Sequence, residues 1–466
     1  MSAPDLSRWD RPMSKAMRAD GRPALLDDYL AAGGYEGLER ALRELEPPAV
    51  TQTVMDSGLR GRGGAGYLTG RKWSTMPLGP DAPRPKYVAC NGDEMEPGSI
   101  KDRWLMSRNP HLLIEGIVIA GYAVQADAGY IFLRAQYDAA RDALERALAE
   151  ARERGYLGEH ILGTDFSFDI YLHESAGRYI CGEASSMLNA LESLRPNPRA
   201  RPPHMTGAGL YFRPTVVNNV ESYSAVPGIV RNGVEWWRSL SASAEGGTKV
   251  FGVSGRVVKP GCVELPVGTS LRELIEVHAG GMLPGYRLRA VVPGGASTAF
   301  IPAADIDVAF DNDTVETIGS RLGTGTPVIL DDQTCPIGMT LNMLQFFAQE
   351  SCGWCTPCRE GLQWTVQLLR GIEEGRGRPE DLEILAEHIW YMGPDRTFCD
   401  LAPGAMQPLE AALRVFADDF AQHIAEGTCP YPRSGSSVPV MRGSTWAQPA
   451  AGTGSAQSSA AEETTP

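Results

Sequence analysis

Cys352, Cys355 and Cys358 stand two residues apart in one run, Ser351-Cys-Gly-Trp-Cys-Thr-Pro-Cys-Arg359, and Cys399 follows further along the chain. Three thiolates on a tight turn can reach three corners of a cuboidal iron–sulfur cluster, and a distant fourth supplies the last corner. Gly353 and Pro357 let such a loop fold back around a bulky inorganic core. A zinc site and unligated thiols are the alternatives. Zinc sites usually come as two separated C-x-x-C pairs, so the triple run favours a [4Fe–4S] cluster.

Four further stretches carry polar chemistry. The first, Arg60-Gly61-Arg62-Gly63-Gly64-Ala65-Gly66-Tyr67, contains a formal G-x-G-x-x-G, and Arg62, Arg71 and Lys72 add positive charge. Glycines let backbone N–H groups approach a phosphate or a planar ring closely. The preceding residues, 50–59, read as helix, so an ordinary dinucleotide turn, which needs a strand there, is not expected. The second stretch, Asn91-Gly92-Asp93-Glu94-Met95-Glu96, sets three carboxylates just after a strand, where ligands bind in α/β sheets. The third is Arg178-Tyr179-Ile180-Cys181-Gly182-Glu183. The fourth, Pro214-Thr215-Val216-Val217-Asn218-Asn219-Val220-Glu221, offers paired amides that both donate and accept. Each alone reads as a turn; four together in one α/β region make a cofactor pocket the better reading.

The elements that must position these residues fall into three zones. Residues 21–245 alternate helical and strand-like patterns, with strands expected at 86–90, 130–134 and 169–173 and an amphipathic helix at 139–155; this predicts a layered α/β domain. Residues 246–335 are rich in Val and Gly and predict a small β-rich domain. Its strands are expected at 250–253, 256–258, 263–265 and 289–292, with one helix over 270–278 capped by Ser270 and a box closed by Glu273. Residues 336–430 return to helical periodicity at 341–349, 361–373, 379–392 and 406–424, a bundle. Residues 1–20 read as an extension, and 431–466, poor in apolar anchors, as a disordered tail.

The 466 residues exceed one ordinary core, and 43% hydrophobic content is that of a folded protein. Forty-three Lys plus Arg against 57 Asp plus Glu give −14, which argues against general nucleic-acid binding. No secretory signal is read at the N-terminus. The most apolar stretch, 112–133, is interrupted by Glu115 and Asp127, so it reads as a core helix and a strand. Nine scattered cysteines read as metal ligands plus spare thiols, not a disulfide framework.

Taken in order, GLRGRGGAG, DEMEPGSIKDR, GRYICGE, PTVVNNVE, ESCGWCTPCR and GPDRTFC resemble one family: the FMN- and NADH-binding F subunit of bacterial respiratory complex I, which shares its ancestry with flavin subunits of NAD-dependent formate dehydrogenases and hydrogenases. The resemblance runs from about residue 9 to 427. It implies an α/β flavin-binding domain, a ubiquitin-like β-grasp domain and a C-terminal helical bundle carrying a [4Fe–4S] cluster. By motif it implies that Gly61, Arg62, Gly63, Gly64, Gly66 and Lys72 cradle FMN. Asn91, Asp93, Glu94, Gly182, Val217, Asn218 and Asn219 would line the same site. Glu96 and Glu183 would lie near the nicotinamide and its ribose, Tyr179 would also bind cofactor, Tyr67 would stack on NADH, and Cys352, Cys355, Cys358 and Cys399 would hold the cluster.

The activity so implied is NADH:quinone oxidoreduction: hydride from NADH to flavin, then single electrons to the cluster. The implied partners are a thioredoxin-like [2Fe–2S] subunit and a large iron–sulfur subunit, and the implied location is the cytoplasmic face of the inner membrane, reached only through them. A soluble NAD(P)-linked formate dehydrogenase or hydrogenase is the alternative setting. The departures cluster on the NADH side. Ala184 replaces the second of a glutamate pair and His204-Met205 replaces a Phe-Pro, so weaker discrimination between NADH and NADPH, or weaker binding of both, is expected.

Overall fold

The computed structural model describes residues 9–431. Four strands, β1 (Tyr87–Gly92), β2 (Ala128–Arg134), β3 (Asp169–Ser175) and β4 (Thr215–Asn219), form one parallel sheet in the order β3-β2-β1-β4. Because side chains alternate across a strand, β1 serves two cores. Val88 and Cys90 pack with the helix Pro110–Val124. Ala89, together with Phe132 and Val217, joins a core shared with the C-terminal helices. Both faces are thus covered, as a parallel sheet requires.

The helix Pro110–Val124 is buried along almost its whole length. Its one acid, Glu115, accepts hydrogen bonds from the N–H groups of Tyr35 (2.8 Å) and Leu38 (2.9 Å), at the start of the helix Glu36–Glu44, and from the Tyr29 hydroxyl. The charge that interrupts the apolar stretch therefore satisfies orphan donors of a neighbouring helix end.

The small β unit pairs β5 (Thr248–Val253) antiparallel with β6 (Gly261–Pro266), and β7 (Leu288–Val292) with β8 (Ile301–Pro302) and β9 (Val328–Asp331). A parallel bridge from Ser254 to Val328 joins the two sheets. The strand expected at 256–258 is reduced to a bridge between Val257 and Met282, because Gly255 (φ +113°) and Pro260 interrupt the ladder on either side. Ser270 caps the expected helix by accepting from Glu273 N at 3.1 Å, but the helix passes from α to π form at Leu274. The Glu273 carboxylate lies 3.5 Å from His278 Nε2 and does not close the expected box.

The bundle comprises the helices Pro336–Glu350, Thr356–Glu373, Pro379–Tyr391, Leu401–Val415 and Ala417–Glu426. Periodicity alone predicts the last two as one. The chain breaks at Phe416, whose buried ring packs edge-on against Phe300 of the small β unit, 5.1 Å between centroids. Tyr431 is held by Asp419; the disordered tail expected beyond it lies outside the described residues. No described helix is long and apolar enough to cross a membrane.

Candidate functional site

Strand order fixes where a ligand can enter. The chain builds β1, β2 and β3 outward in one direction and then returns to set β4 on the other flank of β1. The crevice beyond the carboxyl ends of β1 and β4 is the switch point, the usual ligand position in open α/β sheets. Register places Asn91 beside Asn219 and Cys90 beside Asn218 at that edge.

The other two stretches converge there. The Asn91 amide donates to Cys181 O at 2.9 Å, which ties β1 to the 178–183 turn. Trp73 Nε1 donates to Asn218 Oδ1 at 3.0 Å, and Lys72 Nζ donates to Val217 O at 2.7 Å. Burial, with repulsion from Arg201, pushes the Lys72 ammonium down to about 8.

The glycine loop is closed by a bridge between Arg60 and Leu68, and Gly61 N donates to Tyr67 O at 2.8 Å. It follows the helix Pro47–Asp56, as the sequence predicts. A Cβ on Gly63 would lie 3.3 Å from the Asn219 side chain, so the loop rests on the end of β4. Gly64 (φ +114°) and Gly66 (φ +65°) adopt left-handed backbone that other residues resist. Among the described residues no acceptor takes the N–H groups of Gly63, Gly64 or Gly66. Tyr67 is half exposed at the loop's end.

Arg62 departs from its expected role. Its guanidinium is buried in an ion pair with Glu245 at 2.9 Å, and Glu245 also accepts from Asn312 N at 3.0 Å. The charge expected to face a cofactor instead braces the loop against the small β unit.

Behind Asn219 lies a buried charge network. Lys101 Nζ contacts Asp102 (2.6 Å), Glu221 (3.1 Å) and Asn219 Oδ1 (3.0 Å), and Lys249 Nζ contacts Glu221 (2.9 Å). Asn219 Nδ2 donates to Asp102 at 2.7 Å, so both amide atoms are fixed. Burial alone would raise Glu221, but Lys249, Lys101 and Arg62 overcome it and hold the carboxyl down at about 2.

The four acids of the expected pocket divide. Asp93 is buried and neither carboxylate oxygen has a well-formed hydrogen-bond partner; burial pushes it up to about 6. The Glu94 carboxylate is taken up within the protein. Its carboxylate accepts from Ser99 Oγ (2.6 Å), Asp102 N (3.0 Å) and Arg103 N (3.0 Å) at the start of the helix Lys101–Arg108. Its role there is that of a helix cap. Glu96 accepts from Tyr179 OH (2.6 Å) and from Ser297 N (2.7 Å) of the small β unit. Glu183 caps the helix Ala184–Leu191 through Ser186 N (2.8 Å) and pairs with Arg201. Gly182 is open: a Cβ there would meet nothing within 4 Å.

The 178–183 turn also reaches the cysteine loop. Tyr179 N donates to Glu350 at 3.0 Å, and its ring packs edge-on against Phe346 and Phe347. Glu350 ends the helix that leads directly into Cys352–Cys358. Arg195 donates to Cys352 O at 2.6 Å. Cys358 has Cys352 and Cys355 as electrostatic neighbours and takes a 3.2 Å contact from Ser351 Oγ. Cys399, one residue before the cap of the helix Leu401–Val415, has Cys352, Cys358 and Glu183 as its neighbours. The four thiols thus share one locality, beside the turn that carries Gly182. Burial pushes Cys358 up to about 11 and Cys399 up to about 12, so a cation must draw off their protons before they bind as thiolates.

Sequence reasoning missed Lys101, Asp102, Lys249, Glu245 and Glu350. Lys101 and Glu221 lie inside motifs singled out above, yet nothing local marks a charge for burial. It also scattered Cys335 and Cys429, which the fold brings together with Glu373 and His423.

Three family models match in chain order: the Nuo51 FMN-binding domain over residues 54–228, the SLBB domain over 250–301, and the NADH-ubiquinone oxidoreductase-F iron-sulfur binding region over 338–423. The F subunit of the NADH-quinone oxidoreductase of Salmonella typhimurium is 47% identical over 415 residues, 89% of this chain and 93% of that protein. The F subunit numbered 2 of the same enzyme in Rhizobium meliloti is 48% identical over 410 residues, covering 87% and 96%. Among solved structures, a chain of the NAD+-reducing [NiFe]-hydrogenase in its H2-reduced state superposes with a TM-score of 0.74 at 33% identity, covering 88% of this chain and 68% of that one.

Proposed function

The chain belongs to the family of NADH-quinone oxidoreductase F subunits, and from that premise we propose that it takes electrons from NADH in the β1/β4 crevice and delivers them through the cysteine loop to partner subunits and quinone. The observation that carries this reading is the 178–183 turn. It is bonded to Asn91 of the crevice on one side and to Glu350, at the root of the cysteine loop, on the other. One short segment thereby spans a two-electron site and a one-electron site. FMN in the crevice and a [4Fe–4S] cluster on the four thiols supply the redox chemistry when bound.

The residues fit those groups. Unpaired N–H groups at Gly63, Gly64 and Gly66 form a nest for a phosphate, and Lys72 supplies the cation. The buried Asp93 carboxylate, with only loose contacts from Ser175 and Arg178 N, has acceptor capacity for a hydroxyl donor such as a ribityl chain. Asn91, Val217, Asn218 and Asn219 hold the crevice floor, Gly182 leaves space for a ring, and half-exposed Tyr67 offers a face for NADH to stack on. Glu96 and Tyr179 orient one another at its rim. Cys352, Cys355, Cys358 and Cys399 hold the cluster. The domain limits that go with this reading are 21–245, 246–335 and 336–430.

Two exposed aromatics stand beside the thiols: Trp354 and Phe398 are chain neighbours of the cysteines, with 6.4 Å between their ring centroids. Such a patch suits a partner surface, here a large iron–sulfur subunit, with a thioredoxin-like [2Fe–2S] subunit as second neighbour. Attachment to the cytoplasmic side of the membrane follows through them.

On the NADH side, Arg201 already neutralises Glu183, and Ala184 adds no second carboxylate. Repulsion of a 2′-phosphate is therefore weak. The hydrogenase likeness supports a second setting, a soluble NAD-linked complex, but at 33% identity against 47% for the quinone-linked subunit it ranks second.

The test is anaerobic purification with co-purifying subunits, then flavin and iron analysis and NADH- and NADPH-driven ferricyanide and quinone reduction. We expect flavin, cluster iron and quinone reduction, with NADPH used measurably. Protein that is well folded yet free of both flavin and iron would sink the proposal. Strong NADH preference with a low KM would sink its NADPH part alone.

A further inference from the structure

The helix Pro336–Glu350 has the cysteine loop at its carboxyl end; a second cluster of ligand-type side chains sits at its amino end. Fifteen residues of helix separate the two by about 22 Å at 1.5 Å per residue. Cys335 is the N-cap residue of that helix, Glu373 is the last residue of the helix Thr356–Glu373, His423 lies in the last turn of Ala417–Glu426, and Cys429 follows just beyond it. One ligand atom from each lies within 4.8 Å of all the others.

The separations are close to those of a coordination shell, the Cys335–Glu373 one a few tenths of an ångström short. Cys335 Sγ lies 3.1 Å from Glu373 Oε2 and 3.4 Å from His423 Nε2, and Nε2 lies 3.4 Å from Glu373 Oε2. Four ligands placed tetrahedrally at the usual Zn–S and Zn–N distances would be about 3.3–3.8 Å apart. Orientation is also set. His423 Nδ1 is 2.7 Å from Asp419 O, and a carbonyl can only accept, so Nδ1 carries a proton and Nε2 is the atom turned to the cluster; Glu373 favours a proton there as well, which a metal would displace. Cys335 Sγ accepts from Gly338 N at 3.3 Å at a helix amino end, although burial and the Glu373 carboxylate push the thiol up, so a bound cation would have to displace its proton. His423 is fully buried, and the Tyr431 ring stacks on it at 6.3 Å between centroids.

We propose that Cys335, Glu373, His423 and Cys429 form a structural zinc site, separate from the cysteine loop. Two soft sulfurs, an imidazole and a carboxylate suit zinc, and four protein ligands leave no open position for catalysis. The site fastens the start of the first bundle helix, where the chain arrives from β9, to the end of the last.

The test uses the full chain from cells grown with zinc, with zinc, iron and flavin measured together. Wild type is expected to carry one zinc per chain beside its iron. The zinc-edge X-ray absorption spectrum should show two sulfur and two nitrogen or oxygen neighbours. The Cys335→Ser/Cys429→Ser double variant should lose the zinc and keep flavin and iron. If that variant does not fold, the wild-type spectrum decides alone. Zinc-free wild type overturns the proposal. So does a zinc shell of four sulfurs, which would mark metal misplaced in the cysteine loop. A Cys335–Cys429 disulfide, found by alkylation mapping of anaerobic protein, would also refute it. Wild type lacking flavin yet holding this zinc would fail the crevice reading and leave this one standing.

Discussion

In the β1/β4 crevice most polar side chains already have protein partners, whereas the thiols of the 352–358 loop have chiefly one another. Asn219 is fixed at both amide atoms, Arg62 is locked to Glu245, and Glu94 is consumed as a helix cap. Cys358, by contrast, has Ser351 and its fellow thiols, and burial keeps its proton on. The crevice is therefore preorganised by the fold, and a ligand enters a finished frame. The loop is completed by its metal, which supplies both the charge that deprotonates the thiols and the bonds that hold them. The two halves of one electron path should accordingly fail in different ways.

The sharpest break is at the loop. Cys399→Ser removes the corner supplied from a separate helix start. Cluster iron and quinone reduction should fall to background while flavin content stays near wild type. Retention of full cluster iron in this variant would show that Cys399 is not a ligand. Next in size is the frame behind the crevice. Glu221→Gln leaves Lys101 and Lys249 buried without their shared counter-charge. Stability should drop by about 3–5 kcal/mol, read as a denaturant midpoint, with flavin lost alongside. The acid side of the same network follows from linkage. The folded Glu221 carboxyl sits at about 2 against an ordinary 4.5, so its stabilisation is complete above 4.5 and fades as pH falls from there towards 2. Glu221→Gln should flatten that limb of the stability–pH curve.

A smaller effect separates fold from ligand affinity. Lys72 titrates near 8 in the free chain, and only its charged form attracts a phosphate. FMN affinity of the apoprotein should therefore weaken as pH rises through 8, by up to about tenfold per unit, until the ligand-bound value is passed. Fluorescence titration at several pH values reads this directly. Lys72→Gln should bind more weakly at neutral pH and lose the pH dependence; an unchanged slope would take Lys72 out of the phosphate site.

The same contrast explains what could be read from residues alone. The cysteine cluster was legible because three of its thiols lie within one turn, and the glycine loop because its composition is local. Three of the four sheet strands were legible from strand runs whose apolar character reflects burial on both faces; β4, with its two asparagines, was not. The partners of the Arg62 and Glu94 side chains, Glu245 and the start of the 101–108 helix, were not legible because they are set by the fold and not by spacing. Cys335 and Cys429 carry no pattern at all; three separate helix ends bring the quartet together. The break at Phe416 was hidden because its cause, Phe300, belongs to another unit.

The finest distinction concerns two glycines of one site. Gly66 has φ +65°, and a Cβ there would lie 2.9 Å from Asn312 Oδ1, so Gly66→Ala strains the protein whether or not a ligand is present. Gly182 has no such constraint: its backbone suits alanine, and the added methyl would meet nothing within 4 Å. Gly182→Ala should thus leave the apoprotein's stability within about 0.5 kcal/mol of wild type, as an unstrained exposed change does. If that open space is where a flavin ring lies, the methyl instead clashes with the ligand, at about 1–3 kcal/mol, and affinity falls roughly tenfold or more. Thermal melts of the apoprotein and flavin titration of both variants separate the cases. Unchanged flavin affinity in Gly182→Ala would move the ring away from the 178–183 turn, and with it the short path from crevice to cysteine loop.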